Sequence, residues 1–316
     1  MTGRPGAAQG PGPEATPRTH EITLLVNPAA GRGRGARAAA PAAAALREAG
    51  LKVHQVVGED AADAVRRARE AVAGGTGALV AVGGDGMVSL ALQAVAGTAT
   101  PLGVVAVGTG NDLARACGLP LREPVAAARA IAAALAAGRA RRLDLGLAGG
   151  TWFGGVLASG FDSRVNDRGN RMRWPRGRLR YDVALLAELA ALRAVPYRLR
   201  LDDGPWQELD ATLVAVGNGP SYGGGMRICA GARLDDGLFD VTVVGPCSRS
   251  TLLRVFPRVY RGTHLGHPVV TVLRASRVTL EAQGVTGYAD GEPLGPLPLS
   301  ARCVPGAVRV LAAAGA

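Results

Sequence analysis

The sequence predicts an α/β plus all-β chain, with a parallel-sheet α/β domain over residues 20–145 and an antiparallel β-sandwich domain over residues 146–316. Three observations predict it. In the first half, short apolar runs alternate with helical patterns long enough to be crossovers, the signature of a parallel sheet with right-handed connections. In the second half, short strand patterns separated by turn residues dominate, as in a sandwich. With 316 residues, 48% of them hydrophobic and 19% charged, the chain can bury cores of ordinary size.

The elements follow in order. Residues 1–19 are rich in Gly, Pro and Ala and read as a disordered leader without a signal-peptide core. Strands are expected at 22–26, 51–57, 78–82 and 102–106. Helices are expected at 37–49, at 60–73 with Asp60 or Asp63 near the start, at 87–96, after Asp112, and at 125–137. Beyond a boundary near 141–150, strands are expected at 152–158, 197–201, 211–216, 238–244, 269–272, 277–281 and 308–311. Helices at 181–192 and 250–260 interrupt them, and the last strand is free to return to the first domain.

The net charge of +11 suits an anionic partner, and arginine carries it, because Lys52 is the one lysine. The four cysteines, Cys117, Cys229, Cys247 and Cys303, lack C-x-x-C spacing, which argues against a disulfide scaffold or a thiolate zinc site. No apolar, charge-free run of about 18 residues is present to cross a membrane. His54, His264 and His267 have no metal-ligand spacing, and His20 ends the leader.

Three glycine-rich loops follow expected strands: Asn27-Pro28-Ala29-Ala30-Gly31, Gly83-Gly84-Asp85-Gly86 and Gly108-Thr109-Gly110-Asn111-Asp112. Ligands bind at the carboxyl ends of strands in an open parallel sheet. Glycines let the backbone approach phosphate oxygens, and helix N-termini add N–H donors. The loops therefore form a candidate nucleoside triphosphate site. The run Gly31-x-Gly33-x-Gly35 lacks G-x-G-x-x-G spacing, and no G-x-x-x-x-G-K-[ST] exists, which disfavours a Rossmann site and excludes a P-loop. Each short motif alone could be a turn. Asp85 and Asp112 would repel phosphate unless they hold Mg²⁺ or accept a proton. Asp144, behind Arg141 and Arg142, could join them or pair with arginine.

The ordered set resembles the diacylglycerol kinase catalytic-domain family, which includes bacterial soluble lipid kinases and is related to the sphingosine kinases. The likeness continues through residues 158–163, 177–181, 216–225 and 232–238 to Asp290-Gly291-Glu292, and so covers about residues 21–312. It implies a nucleotide-binding first domain of the NAD kinase/diacylglycerol kinase type, with ATP contacted by Asn27 to Gly31, Gly84 to Gly86 and Thr109. It implies a catalytic Mg²⁺ network of Asp85, Asp112 and Asp144, and a structural Mg²⁺ held by Asp236 with the carbonyls of Arg233 and Leu238. Glu292 is implied as the base for a lipid hydroxyl, although the sphingosine kinase branch favours the aspartate matching Asp85. A hydroxyl is a poor nucleophile and needs a carboxylate in reach, whatever the family. Departures fall on the nucleotide side. Met87 stands where the family has threonine, Ser89-Leu90 where Asn-Glu is common, and Gly58 and Val107 replace a threonine and a proline. Met87 is expected against the base or sugar.

Between Arg164 and Arg180 lie seven arginines opposed by Asp167 alone, with Met172 and Trp174 interleaved. Arg171, Arg173, Trp174, Arg176 and Arg178 are therefore candidates for contact with an anionic membrane surface, where Trp sits at headgroup level; the plainer reading is a solvated loop paired to acids elsewhere. No RRM, KH or dsRBD pattern supports a nucleic-acid partner. The expected function is an ATP- and Mg²⁺-dependent lipid kinase of phospholipid biosynthesis. It is expected to be cytoplasmic and peripheral at the inner face of the membrane, compatible with a homodimer, and to convert diacylglycerol to phosphatidic acid. Another lipid acceptor such as a sphingoid base, ceramide or phosphatidylglycerol, an NAD kinase, and a catalytically weak lipid-binding protein remain the alternatives.

Overall fold

The computed structural model describes residues 20–26, 34–172, 174 and 178–312, without the side chains of 34, 170 and 178–182. The expected leader and the loop Asn27 to Gly31 lie outside the described residues. The first half runs β1 (Glu21–Val26), α1 (Arg34–Glu48), β2 (Lys52–Val57), α2 (Ala61–Ala73), β3 (Leu79–Gly83), α3 (Asp85–Val95), β4 (Leu102–Ala106), α4 (Asp112–Ala116) and α5 (Pro124–Ala136). The four strands are parallel in the order β2-β1-β3-β4. Burial on both faces explains the near-continuous apolar runs of β1, β3 and β4, whereas the edge strand β2 is largely exposed. Ile22, Leu24, Val80 and Val82 face α1 and α5, whereas Leu25, Leu79 and Ala81 face α2 and α3. Of the two aspartates expected near the start of α2, Asp60 is the N-cap, its carboxylate accepting from Asp63 N at 2.8 Å.

The second half contains β5 (Arg141–Ala148), β6 (Thr151–Phe153), β7 (Val156–Gly160), α6 (Phe161–Arg171), α7 (Arg178–Ala190), β8 (Val195–Leu201), β9 (Gln207–Ala211), β10 (Leu213–Gly217) and β11 (Phe239–Val244). It continues with α8 (Arg249–Arg261), β12 (Val270–Ala275), β13 (Arg277–Glu281), β14 (Thr286–Ala289), β15 (Glu292–Pro296) and β16 (Leu299–Val310). A six-stranded antiparallel sheet, β12-β11-β10-β7-β14-β15, packs on the strands around β8, β13 and β16. Leu157, Val214, Val216, Phe239 and Val241 meet Tyr197, Leu199, Val278 and Leu280 between the two layers. The opposite face of the six-stranded sheet is also buried. Val156, Leu213, Ala215 and Val244 lie there beneath residues of α6, α7 and α8, so β10 and β11 are buried on both faces, with Asp240 and Thr242 of β11 on this side.

β16 joins the halves. It pairs antiparallel with β13 and β5, and its end lies parallel to β4 at Val310↔Leu102. One ten-stranded sheet thus runs through both halves. This is the α/β-plus-sandwich architecture expected from the sequence, with differences in its elements: β5 occupies the expected boundary, β9, β14 and β15 are additional strands, and β16 begins at Leu299. The single expected strand at 152–158 is two, β6 and β7, because Gly154-Gly155 turns the chain between them. The polar stretch after Gly160, which shows no apolar periodicity, is the helix α6.

Candidate active site

In-register pairing of β3 with β4, Gly83↔Ala106, sets the loops that follow them side by side. Their contact requires glycine: a Cβ on Gly108 would collide with Gly84 Cα. Asp85 opens α3 and spans to the second loop. Its Oδ2 accepts from Asn111 N at 2.7 Å and its Oδ1 from Asp112 N at 2.6 Å. Asn111 adopts φ 59°, and its side chain bridges back to Gly108 N at 2.9 Å and Gly108 O at 3.1 Å.

Asp112 is buried and reaches the second half of the chain, its Oδ2 accepting from Gly224 N at 2.8 Å. Its Oδ1 is buried without a hydrogen-bond partner among the described residues. Burial raises the Asp112 pKa, the Gly224 N–H opposes this, and the charge of Asp85 raises it further. An orphaned oxygen on one of two adjacent carboxylates fits a hard cation. Among the described residues no three His, Cys, Asp or Glu side chains converge as a metal cage. A Mg²⁺ here would therefore complete its shell with water and phosphate oxygens, as this ion commonly does.

Asp290 sits at the β14–β15 turn with φ 51°. It holds the β6–β7 turn with three backbone donors: Gly154 N to Oδ2 at 2.8 Å, and Gly155 N and Val156 N to Oδ1 at 2.9 and 3.1 Å. Burial pushes its pKa up to about 6 against those donors, with Asp85 adding to the rise. Two residues on, Glu292 is exposed at the start of β15. It lines a cleft of about 590 Å³ together with Gly84, Gly86, Ser89, Thr109 and Thr151. Gln93 of α3 braces the same wall, donating to Trp152 O at 2.8 Å and accepting from Trp152 N at 3.0 Å.

Gly84, Gly86, Met87, Thr109 and Glu292 line this cleft, and Asp85, between Gly84 and Gly86, is joined to Asp112 through the Asp112 N–H. Met87 differs from expectation. It is buried in the α2–α3 core, and a Cβ on Gly83 would collide with its side chain, so it forms floor beneath the glycine loop more than a face for a base. Asp144 also differs. It lies buried on β5, its carboxylate accepting from Gly237 N at 2.6 Å and Gly306 N at 2.8 Å. No hydrogen bond among the described residues links it to Asp85 or Asp112. At the neighbouring turn, Asp236 Oδ1 accepts from Leu238 N at 3.2 Å and its other oxygen pairs with Arg274, which also holds Asp240 at 3.0 Å. Arg233 is exposed, 3.6 Å from Asp235. These residues fit a second cation poorly, because a guanidinium already faces Asp236.

The basic segment is divided. Arg164 and Arg168, on α6, pair with Glu188 of α7 at 3.6 and 2.6 Å. Arg171 is exposed and Trp174 is 82% exposed. Arg173 and Arg176 lie outside the described residues, and Arg178 opens α7 without a described side chain. No helix of the described residues is long and apolar enough to cross a membrane.

Sequence reasoning missed Gln93, the anchoring role of Asp290, and Asn218, which is buried and donates to Asp144 O at 2.9 Å and Gly154 O at 3.0 Å. For Asp290 the available signal was an aspartate before glycine at a turn. For Gln93, inside a regular helix, there was none.

Comparison with known proteins accords with this geometry. The diacylglycerol kinase catalytic domain matches residues 21–148, and the YegS C-terminal NAD kinase beta sandwich-like domain matches residues 155–312. A diacylglycerol kinase of Mycobacterium tuberculosis is 47% identical over 302 residues, spanning 93% of this chain and 96% of its own. A diacylglycerol kinase structure from Bacillus anthracis str. Sterne superposes with a TM-score of 0.69 at 22% identity, covering 93% of this chain and 97% of that one. An NAD kinase from Archaeoglobus fulgidus in complex with ATP shares the fold at a TM-score of 0.52 and 12% identity, covering 92% and 93%. The chain belongs to the diacylglycerol kinase family of lipid kinases, phosphotransferases with an alcohol group as acceptor.

Proposed function

We propose that this protein transfers the γ-phosphoryl group of ATP to the free hydroxyl of diacylglycerol, giving phosphatidic acid, with Mg²⁺ as cofactor. The observation that carries the reading is the cleft in which Glu292 faces the Gly84–Gly86 and Gly108–Thr109 loops. Loop N–H groups and the N-terminus of α3 suit the phosphates. Asp112, with its free oxygen, and Asp85 would hold Mg²⁺, which neutralises charge on the phosphoryl oxygens. Both Asp85 oxygens already accept backbone N–H groups, whereas Glu292 is exposed and has no hydrogen-bond or ion-pair partner among the described residues. This favours Glu292 as the base that takes the hydroxyl proton while Asp85 fixes the loops. Asp144 acts as a positioning residue for the Asp236 turn and β16.

The lipid would reach the cleft from the sandwich side, with Trp174 and Arg171 near the membrane. An apolar cavity lies between α7, α8 and the six-stranded sheet, lined by Phe161, Leu185, Met226 and Phe256, with Asp162 at its wall. Its volume of about 50 Å³ is too small for an acyl chain, so admitting one requires α7 and α8 to part.

The test is transfer from labelled ATP with Mg²⁺ in mixed micelles, each lipid class offered separately and NAD offered alone. Labelled phosphatidic acid that disappears in both Asp85→Asn and Glu292→Gln is the expected result. Transfer to a different lipid keeps the mechanism and changes the substrate. Faster formation of NADP, or nucleotide binding without transfer to any lipid, rejects the reading.

A further inference from the structure

The outer face of α8 takes no part in the site described above. The helix carries four arginines and no acid. Val255 and Val259 are buried, with Leu252 and Phe256 beside them over the six-stranded sheet. On the other side, Leu253 and Tyr260 are 57% and 49% exposed. Leu253, Pro257 and Tyr260, spaced i, i+4 and i+7, form one exposed stripe, and Arg254, Arg258 and Arg261 form the stripe beside it. Those three guanidinium groups have no ion pair or hydrogen bond among the described residues. Ser248 caps the start of the helix through Thr251 N at 3.1 Å, and Gly262 ends it in the left-handed region, so the face is presented on a well-terminated helix.

A merely solvated face would mix charges of both signs and keep leucine inward. A nucleic-acid face would use the cations and Tyr260 but leave Leu253 and Pro257 without purpose. Adjacent apolar and cationic stripes match a helix lying in the plane of an anionic bilayer, apolar side at the acyl boundary and arginines among the headgroups.

We propose that α8 is a membrane-docking helix, with Leu253, Pro257 and Tyr260 at the acyl boundary and Arg254, Arg258 and Arg261 among anionic headgroups. This extends the lipid-kinase reading by assigning the face of the molecule that meets the membrane. Docking would turn the α7–α8 junction, above the apolar cavity, towards the bilayer.

The experiment is co-sedimentation of the full chain with vesicles of phosphatidylcholine alone or mixed with phosphatidylglycerol, without ATP or diacylglycerol. The native chain should bind the mixed vesicles, and less so as salt rises. Arg254→Glu with Arg258→Glu should weaken that binding more than about tenfold, each cation contributing near the surface. Leu253→Ser with Tyr260→Ser should also weaken it. In a second measurement, Tyr260→Trp should add emission that brominated acyl chains quench. Native-like binding by both double variants, no added quenching, or an RNA oligonucleotide that binds more tightly than the vesicles would overturn the proposal. Turnover of dispersed short-chain diacylglycerol, read separately, should be unchanged in the α8 variants. If that turnover is absent from the native chain while α8-dependent vesicle binding persists, the kinase reading fails and the docking assignment stands.

Discussion

At the residue scale, two carboxylates two positions apart do different work. Glu292 is exposed in the cleft, and Asp290 is buried under three N–H donors. Glu292→Gln should lower kcat by about 10²–10⁴-fold with little change in KM for ATP, as expected for loss of a general base; steady-state kinetics would show it. Asp290→Asn keeps one acceptor oxygen and loses the other, so a buried N–H goes unpaired at a cost of about 1–3 kcal/mol. The pH dependence has a definite sign. Asp290 is raised by burial to about 6 from an ordinary value near 3.8, so between these values the folded protein binds more protons than the unfolded chain. Stability from this group therefore falls as pH rises through that window. Thermal denaturation from pH 4 to 7 should show a shallower decline in Asp290→Asn than in the native protein. Asp162, raised to about 6 by burial, and Asp112 and Asp240, also raised by burial, contribute slope of the same sign in both.

At the element scale, the loops after β3 and β4 depend on contact between two glycines. Gly108→Ala places a methyl group against Gly84 Cα, and backbone cannot yield as a side-chain end would. Overpacking there should cost about 1–3 kcal/mol and weaken ATP binding at least about tenfold, measurable by calorimetric titration. In the sandwich, Arg274 joins Asp236 on the turn to the buried Asp240 on β11. Arg274→Ala leaves a buried carboxylate without its partner and should lower stability by about 1–3 kcal/mol in urea titration. Chelation of divalent ions should leave the thermal midpoint of the nucleotide-free native protein nearly unchanged, because the guanidinium supplies the positive charge at that turn.

At the scale of the whole molecule, the two halves share a sheet through β16 and are tied by Asp112 to Gly224 and Gln93 to Trp152. These ties join residues of one half to residues of the other, so rearrangement of one half reaches the other. The halves should unfold in one transition, with equal calorimetric and van't Hoff enthalpies. Two separate transitions would show that the shared strand and cleft contacts do not couple them.

Much of this was legible from residue order. The strands β1, β3 and β4 sit between helices and are buried on both faces, which makes them conspicuous, mostly apolar runs. The glycine loops were legible because close backbone approach excludes every other residue type. By contrast, β9, β14 and β15 are short, and β9 and β15 are largely exposed, so little apolar pattern marks them. The helix α6 is mostly polar; it is held by packing of Phe161 and Val165 and by the pairing of Arg164 and Arg168 with Glu188. Thus the sequence by itself determined the fold class, the loops of the cleft and the family, since these rest on local periodicity and on glycine's lack of a side chain. Only the tertiary structure decided that Asp144 serves the Asp236 turn, that Met87 is core, that Asp290 anchors the wall beside Glu292, and that β16 fuses the two halves. Those outcomes depend on contacts between residues far apart in the chain, and a one-dimensional pattern carries no record of which distant partner a buried carboxylate or a strand edge will find.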